Sequence, residues 1–220
     1  MWCIQEITPE YRMRMYDLLD LYALPYDARK PIICIDEKSK QLLGEKRKPL
    51  PQKPGSPMKY DYEYTRNGTR NIFMAVEPKG GRRVVEVTKR RTRCDFARFI
   101  KRLVDEKYPC AEKLQLVVDN LNTHFEKSFT GTFPRKEADR ILGMVEFHYT
   151  PKHASWLNMA EIEINVMSHE CLGTRRFSQE QVLAQELRIW EKQRNKTKSK
   201  IVWKFTRQNA DVKLGKHYVA

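Results

Sequence analysis

Short apolar runs alternate along the chain with segments whose apolar residues recur at helical spacing. The apolar runs, typical of buried strands, cover residues 31–35, 71–76, 83–87, 114–118 and 145–148. The helical segments begin near Thr8, Thr92, Pro134, Asn158 and Ser178. The resulting order of strands and helices predicts an α/β protein with a mixed five-stranded sheet and helices on both faces.

Residues 38–70 lie between the first two predicted strands and are polar, with many Lys, Arg, Pro and Gly residues. This composition favours a loop that becomes ordered on contact with a partner. Asn67 and Gly68 form a dipeptide typical of hairpin turns, shortly before the second strand. Further along, residues 178–181 match a capping box, which predicts that a helix starts there.

The 220 residues, 40% of them hydrophobic, are enough for one well-buried domain. The formal net charge is +14, from 42 Lys and Arg residues against 28 Asp and Glu residues. This excess favours a polyanionic partner, above all nucleic acid, although a solvated basic surface gives the same count.

The cysteines and the hydropathy pattern indicate where the protein resides. Five widely spaced cysteines include no Cys-x-x-Cys pair, which favours a reduced intracellular protein over a zinc or redox centre. We find no signal peptide and no apolar stretch of membrane-spanning length. We therefore expect a soluble cytoplasmic protein without a membrane partner.

Two acids follow apolar strands: Asp36 comes after the first and Asp119 after the fourth. If those strands are neighbours and parallel, both carboxylates lie at the same edge of the sheet. Two carboxylates so close repel each other unless a divalent cation holds them, and Mg²⁺ prefers oxygen ligands. Taken singly, each Asp also fits a turn or a helix cap, and only the combination favours a site.

Glu161 is a third candidate acid, at the third position of the helix that follows Asn158. A capping box is the better explanation for this residue when it is considered alone. Glu163 points away from it, because residues two apart on a helix differ by about 160° in direction. The helical wheel places Glu161, Asn165 and Ser168 on one side and Met159, Ile162 and Val166 on the other.

Three motifs together resemble a known family. They are residues 34–37 around Asp36, residues 117–120 with the later His124, and the long motif at residues 148–161. They are similar to the DDE transposases of the mariner superfamily, in its bacterial insertion-sequence branch, over roughly residues 30 to 172. The resemblance implies a ribonuclease-H-like fold, two Mg²⁺ or Mn²⁺ ions and cut-and-paste transposition.

The resemblance assigns roles to particular residues. It implies that Asp36, Asp119 and Glu161 are the catalytic, metal-binding acids. The predicted supporting residues around them are Asn120, His124 and Asn158. With it we predict a helical lead-in at residues 1–29, a catalytic domain at 30–195 and a basic C-terminal extension at 196–220.

The predicted partner is DNA, as the ends of a mobile element and as target. Lys38 and Lys152 are the first candidates for phosphate contacts, His153 could hold a phosphate, and Trp156 could stack on an unpaired base or belong to the core. We expect a homodimer at the bacterial nucleoid. The chain begins almost at the catalytic domain, so we expect the helix-turn-helix segment for end recognition to be separate or missing.

Two other functions fit the same residues. A structure-selective nuclease of this fold would hydrolyse DNA without joining strands. A non-catalytic remnant would bind DNA in a salt-sensitive way that needs no divalent metal.

Overall fold

The protein is built around a mixed five-stranded sheet in the order β3-β2-β1-β4-β5. Its strands are β1 (Ile32–Glu45), β2 (Tyr64–Glu77), β3 (Arg82–Thr88), β4 (Leu114–Val118) and β5 (Val145–Tyr149). The first three strands form an antiparallel meander, whereas β4 pairs in parallel with β1 and with β5. A computed structural model describes residues 6–119 and 126–219, and the predicted five-stranded mixed sheet is confirmed.

Helices cover both faces of the sheet, as the hydrophobic pattern predicts. They are α1 (Pro9–Ala23), α2 (Arg93–Arg102), α3 (Lys127–Thr130), α4 (Arg135–Gly143), α5 (Met159–Met167), α6 (Glu180–Thr197) and α7 (Arg207–Leu214). Single π-helical turns extend α2 to Lys107 and α5 to Leu172. Thr8 and Thr92 cap α1 and α2 through their side chains, which confirms both predicted starts.

Alternation along the strands divides the core into two layers. Ile33 and Ile35 of β1 face α2, α3 and α4, where they join a buried cluster with the phenylalanines of α2. Cys34 faces the opposite side and packs with α1 and the start of α5. The same alternation directs Asp36 to the α5 side of the sheet.

The prediction of a loop over residues 38–70 is wrong at both ends. β1 continues to Glu45 and β2 starts at Tyr64, so the two strands form a long ribbon. Asn67 and Gly68 do not close a hairpin but lie within β2, where the register with β1 shifts between Gln41 and Leu43. Gly68 has φ of 89°, so its positive φ serves a bulge and not a turn.

The capping box predicted at Ser178 is also wrong. α6 begins at Glu180 after Gln179, and no side-chain hydrogen bond caps it. The Ser178 carbonyl instead accepts a hydrogen bond from the Asn67 side chain of β2 at 2.9 Å. Ser178 thus lies one residue before the N-cap, Gln179, and contacts the ribbon instead of capping the helix.

The segment after α6 returns to the body of the protein. Ile201 donates its backbone N–H to Pro78 at 3.0 Å, and Ala210 of α7 is buried. Tyr218 pairs with Ile7 in an isolated parallel bridge, which joins the two ends of the described chain. Over residues 6–119 and 126–219, every helix is too short or too polar to span a membrane.

Candidate active site

Two of the predicted acids lie on neighbouring parallel strands. Cys34 of β1 pairs with Val117 of β4, which confirms that the first and fourth strands are adjacent. Asp36 and Asp119 each follow this pair by two residues, so Asp119, just after the end of β4, lies at the same edge of the sheet as Asp36. The sheet therefore brings together two carboxylates that are far apart in sequence.

Asn158 connects α5, which carries Glu161, to the strand that carries Asp36. Its Nδ2 donates to the Ile35 carbonyl at 2.8 Å, and its Oδ1 accepts from the Ala160 backbone N–H at 3.1 Å. The side chain is buried, so both bonds are shielded from water. One residue thus caps α5 and holds its first turn against β1, next to Asp36.

Asp36 and Glu161 face one open cavity of about 290 Å³. Its described lining consists of Asp36, Glu37, Lys38, Glu161, Ile164, Asn165 and Ser168. It thus combines acids from β1 and α5 with one ammonium group. Asp119 does not belong to this described lining, although it follows the adjacent strand.

The charges of the other two acids act on Asp36. Burial raises the pKa of Asp36 to about 7, and a hydrogen bond from the Glu37 backbone N–H opposes this rise. The negative charges of Glu37, Asp119 and Glu161 are smaller contributions to the same rise in pKa. A divalent cation would relieve this repulsion, and the donors are all carboxylate oxygens, which suit Mg²⁺ or Mn²⁺.

The described part of the chain contains no group of three Asp, Glu, His or Cys side chains close enough to hold one ion together. The acids converge on one region, but their side chains do not form a closed ligand cage. Asn120 and His124, the predicted supporting residues after Asp119, lie outside the described residues.

The helical wheel for α5 was partly wrong. Ile162 was grouped with the apolar side, but 43% of its surface is exposed. Glu163 is buried instead, with 0% of its surface exposed. Asn165 and Ser168 line the cavity with Glu161, which confirms that these three residues share one side of the helix.

The predicted DNA-binding residues fall into two groups. Lys38 lines the acidic cavity itself. Lys152 and His153 are exposed on the segment before α5, where His153 has a positive φ of 62°. This conformation is uncommon for a residue other than glycine.

Trp156 belongs to an aromatic cluster formed with the segment after α6. Its ring stacks on Trp203 at 6.4 Å between centroids and meets the edge of Phe205 at 5.5 Å. Tyr22 of α1 also contacts Trp203, at 5.3 Å. Trp156 nevertheless keeps 37% of its surface exposed, so it packs against the aromatic cluster and is also partly accessible to solvent.

A comparison with protein families shows to which family the chain belongs. The sequence model of a family described as DDE superfamily endonuclease matches residues 31–184. The chain belongs to this family. All three acids of this DDE endonuclease, together with Asn158 and Lys38, lie inside the matched stretch. No curated protein is similar enough in sequence to count as a match.

Solved structures of Mos1 mariner transposase resemble this DDE endonuclease. The Mos1 paired end complex with Mn shares 15% identity at a TM-score of 0.58, over 90% of this chain and 60% of that chain. The paired end complex with Mg shares 16% identity at 0.58, over 100% and 66%. The Mos1 strand transfer complex shares 17% identity at 0.55, over 87% and 57%.

At such identities the similarity concerns the fold, which is ribonuclease-H-like as the motifs predicted. The chain covers less than two thirds of the length of these Mos1 chains.

Proposed function

We propose that this DDE endonuclease is the catalytic domain of a transposase that cuts DNA at the ends of a mobile element and joins the freed ends to a target. The observation that carries the proposal is the convergence of Asp36 and Glu161 on one cavity, with Asp119 following the adjacent strand. The fold supports it, since similar structures include a Mos1 transposase complex with a transposon end and a strand transfer complex.

We further propose that Asp36, Asp119 and Glu161 hold two Mg²⁺ or Mn²⁺ ions. The oxygen-only donors and their mutual repulsion support this assignment, as do the Mos1 complexes with Mn and with Mg. Bound ions of this kind activate an attacking hydroxyl and stabilise the leaving oxygen of a phosphodiester. Because burial raises the pKa of Asp36 to about 7, only part of the Asp36 carboxyl groups are ionised at neutral pH in the metal-free protein, and metal binding would release the remaining protons.

Lys38 is the best placed of the proposed DNA contacts. Its side chain lines the cavity that Asp36 and Glu161 face, so it can pair with a phosphate beside the bond that is cut. Lys152 and His153 extend the contact on the segment before α5, and the partly exposed Trp156 can stack on an unpaired base.

Replacement of the three acids tests the catalytic proposal. We expect Asp36→Asn, Asp119→Asn and Glu161→Gln each to lower metal-dependent cleavage by more than about a hundredfold, since even residues that only support metal ligands contribute tenfold to a hundredfold. Asp139→Asn, which alters an exposed acid of α4, is the matched control and should cleave like the wild type. Wild-type cleavage by any one of the three variants would remove that residue from the site.

A strand-joining assay separates the transposase from its alternatives. We expect the wild-type protein to join a pre-cut end to target DNA in Mg²⁺ or Mn²⁺, and to form no product in a chelator. Cleavage without joining would favour the structure-selective nuclease. Salt-sensitive binding without any metal-dependent product would favour the non-catalytic remnant.

We also propose that the domain acts as a homodimer at the bacterial nucleoid. The strong positive charge supports the DNA partner but does not determine the number of subunits. Light scattering on the protein with and without end DNA measures that number. A single subunit on each paired set of ends would contradict the dimer.

A further inference from the structure

A buried ion-pair network lies on the side of α5 opposite to Glu161. Glu163 is completely buried, and each of its carboxylate oxygens is bound by a different arginine. Arg83 of β3 donates Nη2 to Oε2 at 2.7 Å, and Arg194 of α6 donates Nε to Oε1 at 2.9 Å. Arg83 is itself 1% exposed and also donates to the Ser199 carbonyl. The carboxylate therefore joins α5 to two elements on the far side from the acidic cavity.

Stability alone is a poor explanation for this network. Removing charges from water carries a large desolvation cost, and well-packed apolar residues often replace a buried ion pair without loss of stability. Charge-assisted hydrogen bonds from two guanidinium groups instead fix the orientation of the carboxylate, because such bonds form only over a narrow range of angles. Glu163 is held from two sides, so the rotation of α5 about its own axis is restricted.

That rotation determines where Glu161 lies. The two glutamates are two residues apart, so they project in directions that differ by about 160°. A carboxylate lies roughly 6 Å from the helix axis, and a rotation of about 20° therefore moves it by about 2 Å. Metal ligands tolerate deviations of only about 0.2 Å. Apolar packing around Met159 and Met167 is not directional enough to hold the rotation of α5 within that tolerance.

We propose that Glu163, held by Arg83 and Arg194, is a positioning residue that fixes the rotation of α5 and so the approach of Glu161 to Asp36. Asn158 holds the same helix at its first turn through the Ile35 carbonyl. The two contacts lie on either side of Glu161 in sequence and together fix its place. The inference rests on the proposed function, in which Glu161 is a metal ligand.

Arg194 is the residue to change, because 23% of its side chain is exposed and Arg83 still pairs with Glu163 after its loss. Arg194→Gln removes one of the two directional contacts. Arg176→Gln is the matched control: Arg176 donates to Glu45 at 2.8 Å, 20% of its side chain is exposed, and it does not contact α5 through this pair. Arg194→Lys keeps the charge but loses the planar guanidinium group.

The readout is Mn²⁺ binding to the metal-free protein without DNA, followed by the electron paramagnetic resonance signal of free Mn²⁺. We expect Arg194→Gln to weaken binding by about tenfold or more, as residues that support metal ligands do, and Arg194→Lys to weaken it severalfold less. Arg176→Gln should bind like the wild type. The unfolding midpoint of each variant, measured on the same samples, shows that the protein is folded.

Asp36→Asn in the same titration distinguishes a failure of the proposed metal site from a failure of the positioning role alone. If Asp36→Asn binds Mn²⁺ like the wild type, the proposed metal site itself is wrong. If Asp36→Asn loses affinity while Arg194→Gln and Arg194→Lys keep it, only the positioning role is overturned. Equal losses in Arg194→Gln and Arg176→Gln would also overturn it, because general destabilisation would then explain both. Should Arg194→Gln fail to fold, the comparison of Arg194→Lys with Arg176→Gln decides in the same way.

Discussion

Asn158 uses both atoms of its amide for different purposes. The oxygen caps α5, as the oxygens of Thr8 and Thr92 cap their own helices. The nitrogen binds the Ile35 carbonyl, which a threonine or serine cap could not reach in the same way. Position 158 therefore requires a donor and an acceptor at once.

Asn158→Asp separates the helix cap from the bond to the Ile35 carbonyl. The carboxylate keeps the cap to Ala160 but places an oxygen against the Ile35 carbonyl, so an acceptor faces an acceptor. We expect a loss of about 1–3 kcal/mol in the free energy of unfolding, measured by urea denaturation. Cleavage should fall by about tenfold or more, because the first turn of α5 shifts.

Thr8→Asp is the control for this change. Thr8 caps α1 only by accepting a hydrogen bond from the Tyr11 N–H, so an aspartate replaces its role. We expect wild-type cleavage and stability within about 1 kcal/mol of wild type. A wild-type result for Asn158→Asp in both measurements would show that the bond to Ile35 contributes nothing.

Gly81 is a second position where the backbone conformation permits only one residue type. Its φ is 71°, and a Cβ there would lie 2.5 Å from the Lys198 carbonyl oxygen. We expect Gly81→Ala to cost about 2 kcal/mol or more of unfolding free energy, through strain and through loss of packing by the segment after α6. Gly143→Ala, with nothing within 4 Å of its Cβ, should leave stability equal or higher. Equal losses in both variants would contradict this.

Among the elements, α2 and α4 are joined by a partly exposed network of charges. Arg140 of α4 binds Glu137 at 2.9 Å and reaches Asp105, which follows α2, at 2.8 Å. Lys101 of α2 binds Asp105 and Glu137. Hydrogen bonds from Arg140 and Lys101 lower the pKa of Glu137 to about 2 from its ordinary value of 4.5.

The lowered pKa makes this contact sensitive to acid. Glu137 stabilises the folded state above its unfolded pKa of 4.5, and this contribution is lost as the pH falls towards about 2. We expect the wild type to be more stable than Glu137→Gln near neutral pH, and the difference to shrink over that range. Thermal unfolding of both proteins across pH measures it. A difference that stays constant with pH would contradict the prediction, and salt of about 1 M should reduce it.

Local patterns predicted the sheet and the three acids because each signal lies within a few residues. The apolar run before Asp36, for example, marks the buried part of β1. They did not show that β1 continues to Glu45, because residues 36–41 are all polar and pair with β2 without the alternation typical of a strand. A glycine with positive φ fits a turn or a bulge equally well, so Gly68 was misread.

The burial of Glu163 could not be predicted for a different reason. Its partners Arg83 and Arg194 come from β3 and α6, which are distant in sequence, and a glutamate on a helix is usually exposed. Only the packing of α5 between these elements shows that the charge is neutralised. The helical wheel, which treats polar residues as solvent-facing, therefore fails at this position.

For the molecule as a whole, the net charge of +14 predicts how the proposed DNA binding depends on salt. We expect binding in a chelator, with the logarithm of affinity falling linearly with the logarithm of salt concentration. Lys38→Gln should reduce the slope by about 0.9, the value for one lost phosphate contact on duplex DNA.

Lys136→Gln is the control, since Lys136 is exposed on α4, on the opposite side of the sheet from α5. Its slope should equal that of the wild type, and fluorescence anisotropy over a range of salt concentrations measures all three. Equal slopes for Lys38→Gln and the wild type would exclude Lys38 from the DNA contact.

The strand order also determines when the proposed site can form in a newly made chain. β1, β2 and β3 pair with their sequence neighbours and can assemble as soon as residue 88 has left the ribosome. β4 must then close a long loop to reach β1 at Cys34, and α5 docks after that. An incomplete nascent chain therefore carries Asp36 without Asp119 and Glu161, so the proposed metal site is not yet assembled in it.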